Sequence, residues 1–96
     1  MRITWDEKNA EEHWRKHRIS FKKAAEVFND PNCKTVRDNR FDYGEVRYNT
    51  LGMADDLLLL VVSHTYKDED DNEIIRIISA RAAKPHEWRI YGNRKL

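Results

Sequence analysis

Cysteine, glycine and proline are scarce in this chain, and each scarcity removes a class of explanation. The single cysteine, Cys33, has no partner for an internal disulfide, and no neighbouring base marks it as a thiol nucleophile. Three glycines in 96 residues form neither a phosphate-cradling loop nor a dinucleotide fingerprint, which argues against NTP and NAD chemistry. Long apolar runs are missing as well: the longest, Leu57 to Val62, is far too short to cross a bilayer. The N-terminus lacks a basic segment followed by an apolar stretch, so the expected location is cytoplasmic, with no membrane association. No internal repeat or low-complexity segment is visible.

Charge and apolar residues are what the chain does have. Charged residues make up 36% of it and hydrophobic ones 40%, a balance that suits one small core under a heavily charged surface. We read residues 1–96 as a single domain. The net charge of +1 conceals an uneven distribution. Between Lys67 and Glu73 stand five carboxylates and one lysine; Glu12 to Lys23 holds five cations against Glu12, and Arg81 to Leu96 holds five against Glu87. If the fold joins the two basic segments, the result is a face that suits a polyanion; otherwise they are two solvated helix faces.

Periodicity gives the order β-α-α-β-β-β-β-α. Arg2 to Trp5 alternates as a short strand, and Asp6 caps a helix whose Ala10, Trp14 and His17 share a face. Ser20 caps a second helix, with Phe21, Ala24, Ala25 and Phe28 at i, i+3, i+4 and i+7, ended by Asp30-Pro31. Strands are predicted over Cys33–Arg37, Glu45–Leu51 (bounded by Gly44 and Gly52), Leu57–Tyr66 and Glu73–Arg81. The last two are expected to form an antiparallel hairpin with a long solvated turn from Lys67 to Asn72. Pro85 opens a final helix carrying Trp88 and Tyr91, which Gly92 closes. A run of strands flanked by helices argues for an α+β domain, an antiparallel sheet with helices packed on one face. Glu73–Arg81 is its expected central strand, because Ile74, Ile75, Ile77 and Ile78 occupy both sides of the pleat. Trp5, Phe21, Phe28, Leu58, Leu60, Val62, Ile75 and Ile77 are the expected core.

Two arginines lie on that strand. Arg76 and Arg81 are five residues apart and face opposite sides of an ideal strand, so a bulge or bend is needed to bring them together. Each guanidinium suits a phosphate or a carboxylate, hence either a substrate or a structural ion pair. Glu45 and Arg47 share a face across Val46 and can pair with each other or act jointly on a substrate. Glu87 is a candidate partner for Arg81 and stands four residues before Tyr91. His17, between Lys16 and Arg18, is either a proton-transfer group or a ring that packs and caps carbonyls; His64 poses the same choice. His13 and His17 have metal-ligand spacing on a helix, but nothing else supports such a cluster, so neither metal nor cofactor is expected.

Four segments carry a family resemblance: WDEKNAEEHWRKHRISF (Trp5–Phe21), GEVRYNTLG (Gly44–Gly52), VVSHTY (Val61–Tyr66) and RIISARAAKPHEWRIY (Arg76–Tyr91). In this order and spacing they resemble the BrnT family of type II toxins over nearly the whole chain. The resemblance implies a RelE-like α+β fold and ribonuclease activity that halts translation. It also implies neutralisation by a BrnA-like antitoxin, through which alone the complex touches DNA. Paired DNA-binding domains of such antitoxins would make the complex a heterotetramer. Trp5, Asp6, Lys16, His17, Ser20, Phe21, Glu45, Arg47, Arg76, Ser79, Arg81, Ala83, Glu87 and Tyr91 match the family pattern. Asn9, His13 and Arg18 depart from it, standing where a lysine, an asparagine and a glycine are usual.

A metal-free ribonuclease lets RNA supply its own nucleophile, the 2′-hydroxyl. The protein then needs a base for that proton, cations for the phosphorane-like charge and a donor for the leaving 5′ oxygen. His17 is the candidate base or acid, Arg47 and Arg81 the phosphate clamps, Lys16 an electrostatic helper and Tyr91 a proton donor or stacking surface. Arg76, Glu45 and Glu87 complete the substrate-binding candidates. Lys16, Arg47 and Arg81 are expected on one concave surface, with the acidic loop away from it. Tyr43, Tyr48 and Trp88 are candidate contacts for the antitoxin, which would partly cover Arg81 and the last helix. The alternative is a catalytically silent module that binds nucleic acid or protein and acts as a transcriptional co-regulator with its partner.

Overall fold

The isoleucine-rich segment runs as β5 (Asn72–Ala82) and is paired on both sides, parallel to β1 (Arg2–Trp5) and antiparallel to β4 (Leu58–Glu69). β3 (Arg47–Asp55) and β2 (Lys34–Asp38) continue the sheet antiparallel, in the order β1-β5-β4-β3-β2. The structure is a computed structural model that describes residues 1–40, 44–55 and 57–92. The expected central strand is therefore central. Periodicity cannot say which way neighbours run, and the parallel β1–β5 pair is visible only in the fold.

α1 (Glu7–His17) starts where Asp6 accepts a hydrogen bond from the Lys8 N–H at 3.2 Å, and α2 (Phe21–Ala25) where Ser20 accepts from Lys23 at 3.0 Å. Both caps satisfy otherwise orphaned donors. A 3-10 turn (Glu26–Asn29) extends α2. These elements cover one face of the sheet and bury Phe21, Ala24, Val27, Ala54, Leu60, Val62, Ile77 and Ala80 against it. All eight residues expected in the core are buried or half-buried. α3 (Pro85–Gly92) lies on the opposite face, where Tyr91 packs on Leu51, Leu59 and Val61. Among the described residues no helix is long and apolar enough to cross a membrane.

Two strand boundaries differ from the sequence reading, each for a local reason. The β4–β5 connection is a two-residue turn, with Asp70 and Asp71 at φ 50° and 66°. Positive φ at both central positions gives a turn whose twist matches the strands, so the ladder continues through the acidic residues to Glu69 and Asn72. Gly52 does not end β3 but sits buried inside it. A Cβ there would lie 2.8 Å from Val27 Cγ1, so the missing side chain lets the 3-10 turn press onto the sheet.

Candidate active site

A bulge decides which side the arginines take. Ser63 pairs with Ser79 and its neighbour His64 with Ile77, leaving Ile78 as an extra residue in β5. Arg81 then lies opposite Val61 and Arg76 opposite Thr65. Val61 and Thr65 share a face, and cross-strand partners share a face, so Arg76 and Arg81 point to the same side. Arg47 joins them, being two residues from Asn49, the partner of Ser63. This is the face that α1 and α2 leave uncovered.

β1 accompanies β5 only as far as Ile77, and α1 takes over from there. Asn9 Nδ2 donates to the Ile78 carbonyl at 2.8 Å, and the Ala80 N–H donates to His13 Nε2 at 3.1 Å. With Nε2 accepting, the ring proton sits on Nδ1, facing the Ile19 carbonyl at 3.4 Å. Burial pushes the His13 pKa below its ordinary value against the pull of that carbonyl, and nearby His17 lowers it further. Asn9 and His13 thus fasten α1 beside the bulge. The ring of His13 also lies 4.6 Å from that of His17, tilted by 42°.

A groove of about 610 Å³ crosses the uncovered face. Its floor is Val36, Asn49, Leu51, Val61, Ser63 and Ser79; His13 and His17 of α1 stand on one side, Glu87 and Ile90 of α3 on the other. Lys34, Arg40 and Arg81 supply positive charge. Arg81 and Glu87 form a bidentate pair with both N–O distances 2.8 Å, and Glu87 also accepts the Lys84 N–H at 2.8 Å. The Arg81 guanidinium holds the Glu87 carboxyl down at about 2. Arg40 is paired with Asp38 at 3.0 and 3.1 Å, and Lys34 Nζ donates to the Ile90 carbonyl at 2.8 Å. On the floor, Ser63 donates to Asn49 at 2.7 Å.

The candidates named from sequence separate into four places. His17, Arg81 and Glu87 line the groove. Glu45 and Arg76 line a second pocket of about 430 Å³ with Thr4 and Thr65. There Arg76 Nη2 donates to Glu45 at 3.0 and 3.2 Å, and Arg47 donates to the same carboxylate at 3.3 Å. Tyr91 stands elsewhere: its hydroxyl donates to Asp30 Oδ2 at 2.6 Å, the oxygen that also accepts the Met53 N–H. That geometry makes Tyr91 a fastening for α3. Lys16 is exposed on α1 outside the lining of the groove, so only Arg81 of the three expected cations lines it. The acidic turn lies apart, beside Met1 and Arg2.

His64 is a core histidine. It is bonded to Thr50 at 2.7 Å and to the Thr65 carbonyl at 3.1 Å, and burial lowers its pKa. Burial raises the Cys33 thiol, consistent with an inert side chain. Among the described residues no group of three or more His, Cys, Asp or Glu is placed to hold a metal. Tyr43, Arg94 and Lys95 lie outside the described residues. Sequence reasoning passed over Lys34, Arg40, Asn49 and Ser63. Only the pairing of Lys34 with Leu51 and of Val36 with Asn49 places that stretch of β2 beside the groove.

Comparison with curated proteins finds no match. Among solved structures, the crystal structure of the Brucella abortus ribonuclease toxin BrnT is similar, with a TM-score of 0.64 and 24% identity over 88% of this chain and 97% of that one. At that identity the likeness speaks for the fold. A family model described as ribonuclease toxin, BrnT, of type II toxin-antitoxin system matches residues 5–87, from the end of β1 to the carboxylate that pairs with Arg81. This chain therefore belongs to the BrnT family of ribonuclease toxins, a membership that implies an RNA target and an antitoxin partner.

Proposed function

We propose that RNA is cleaved in the groove between α1 and α3, without a metal ion. One observation carries this reading: the fold brings His17, from the first helix, and Arg81, from the end of β5, to the same basic groove. His17 takes the 2′-hydroxyl proton as that oxygen attacks the adjacent phosphorus. The bond from phosphorus to O5′ breaks, O5′ takes a proton from solvent water as it leaves and His17 returns its own proton to solvent, giving a 2′,3′-cyclic phosphate and a 5′-hydroxyl. Arg81, Lys34 and Arg40 stabilise the charge that builds on the phosphoryl oxygens. Glu87 holds the Arg81 fork in place, while Arg47 and Lys16 add to the field from farther out. Groove donors that are cations and hydroxyls suit direct contact with phosphate. Purified protein cleaving RNA in the presence of EDTA, with activity lost in His17→Ala and Arg81→Ala, is the expected result. Intact RNA bound with a steep salt dependence would instead mark a module that binds without cutting.

The partner in this reading is a BrnA-like antitoxin that covers Arg81 and α3. Trp88 and Ile90, 44% and 48% exposed on that helix, give it apolar anchorage beside the cations. DNA is reached only through the antitoxin, and pairing of its DNA-binding domains makes a heterotetramer. Co-expression followed by size-exclusion chromatography tests this: co-elution with loss of cleavage is expected, and separate elution with cleavage unchanged would refute it.

A further inference from the structure

We propose that the pocket formed by Arg76, Glu45 and Thr65 is a second phosphate site, which holds the RNA strand beyond the bond being cut. The inference rests on the groove being the cleavage site, and extends it to the residues that hold the strand on one side of the bond being cut.

The bulge at Ile78 supplies the first reason. It turns Arg76 to the side of Arg81 and places the two guanidinium-bearing positions four β4 residues apart, a span of roughly 13 Å along the strand. Between them the floor is polar, made of Ser63 and Ser79 and then Thr65. A strand of RNA leaving the groove in this direction meets hydroxyls and then Arg76. The second reason is how Arg76 is held. Glu45 engages only its Nη2, and among the described residues Nε and Nη1 make no other hydrogen bond, so a positioned guanidinium retains donors for a phosphate. Arg47 engages the same Glu45 carboxylate, which fixes that carboxylate in place beside Arg76. The third reason is the boundary. Past Lys67 the hairpin carries Asp68, Glu69, Asp70, Asp71 and Glu73, so the positive track ends in repulsion. The track therefore has a defined length. An acidic protein segment could read the same cations, but continuity with the groove along one sheet face favours RNA.

The test compares a dinucleotide with an octanucleotide carrying the same scissile step, using wild type, Arg76→Ala, Arg76→Lys and, as a control on α3, Arg89→Ala. The readout is the ratio of kcat/KM for the longer substrate to that for the shorter. Wild type should favour the octanucleotide, and Arg76→Ala should lower the ratio about tenfold, mainly through KM, with partial recovery in Arg76→Lys and no change in Arg89→Ala. Non-cleavable 2′-O-methyl oligonucleotides should show the same length-dependent loss of affinity, with the salt slope reduced by about one. An unchanged ratio in Arg76→Ala, whether from no loss or from equal loss on both substrates, overturns the proposal. So does an effect confined to antitoxin binding. If wild type binds the 2′-O-methyl octanucleotide through Arg76 but cleaves neither substrate, the cleavage reading fails while the phosphate site stands.

Discussion

The two faces of the sheet are built from the same strands and do opposite work. Toward α1 and α2, the side chains of Leu60, Val62 and Ile77 are at most 1% exposed, and the polar groups among them, Thr50 and His64, bond to each other. Toward the groove, among the described residues, the buried apolar cluster is only Leu51, Leu59 and Val61, and ion pairs, hydroxyls and an amide share the surface with exposed Val36 and Ile90. The period-two alternation of β4 separates these roles residue by residue. Stability is concentrated on one face, and the other is left to carry charge that a folded core would not tolerate.

That division can be broken from either side. Leu60→Ala removes a fully buried side chain between the sheet and the helices and should cost about 3 kcal/mol, read by chemical denaturation, while cleavage per folded molecule is retained. His17→Ala is the mirror experiment: cleavage should fall about a hundredfold with unfolding free energy changed by less than about 0.5 kcal/mol, since the side chain is exposed. Loss of stability matching the loss of activity would contradict the separation. Gly52→Ala pushes a methyl group into Val27 and should cost about 1–2 kcal/mol, again without altering cleavage per folded molecule.

Smaller effects sharpen the picture at the groove itself. Glu87 has a carboxyl lowered in the fold to about 2, so its contribution to stability is complete above its ordinary 4.5 and is lost as pH falls from there toward 2. Glu87→Gln should flatten the acid limb of a stability profile in that window and leave neutral pH behaviour to the loss of the Arg81 pair. The smallest expected change has the opposite sign. Arg18 adopts φ 56° at the end of α1, where left-handed backbone costs about 1 kcal/mol, partly offset by its guanidinium 5.5 Å from the Trp14 ring centroid. Arg18→Gly should therefore stabilise the protein by about 0.5 kcal/mol in thermal unfolding.

What was legible in the sequence was whatever local chemistry decides. Asp6 and Ser20 cap helices because their side chains reach the next turn, and the run Ile74 to Ile78 is central because both sides of it are apolar. The site was legible only in parts. His17, Arg81 and Glu87 were identifiable by type and resemblance, but their meeting in one groove with Lys34 and Arg40 depends on the register of β2 against β3. The sharing of a face by Arg76 and Arg81 depends on an unpaired residue that no local propensity announces. His13 and His17 show the limit most clearly. Identical residues one helical turn apart take different tasks, because both border the groove but one is buried and held by the Ala80 N–H while the other is exposed.

The same unpaired residue bears on how this strand can vary in length. In a regular ladder the loss of one amino acid turns every later side chain over, which makes deletions inside strands among the least tolerated of changes. Between Arg76 and Arg81 the opposite holds, because Ile78 is surplus to the pairing. A chain lacking it would close the ladder, leave both arginines on their present side and give up chiefly the carbonyl that Asn9 holds. At this point the central strand has a residue to spare, and a shorter relative of this protein could display the same arrangement of arginines with no bulge at all.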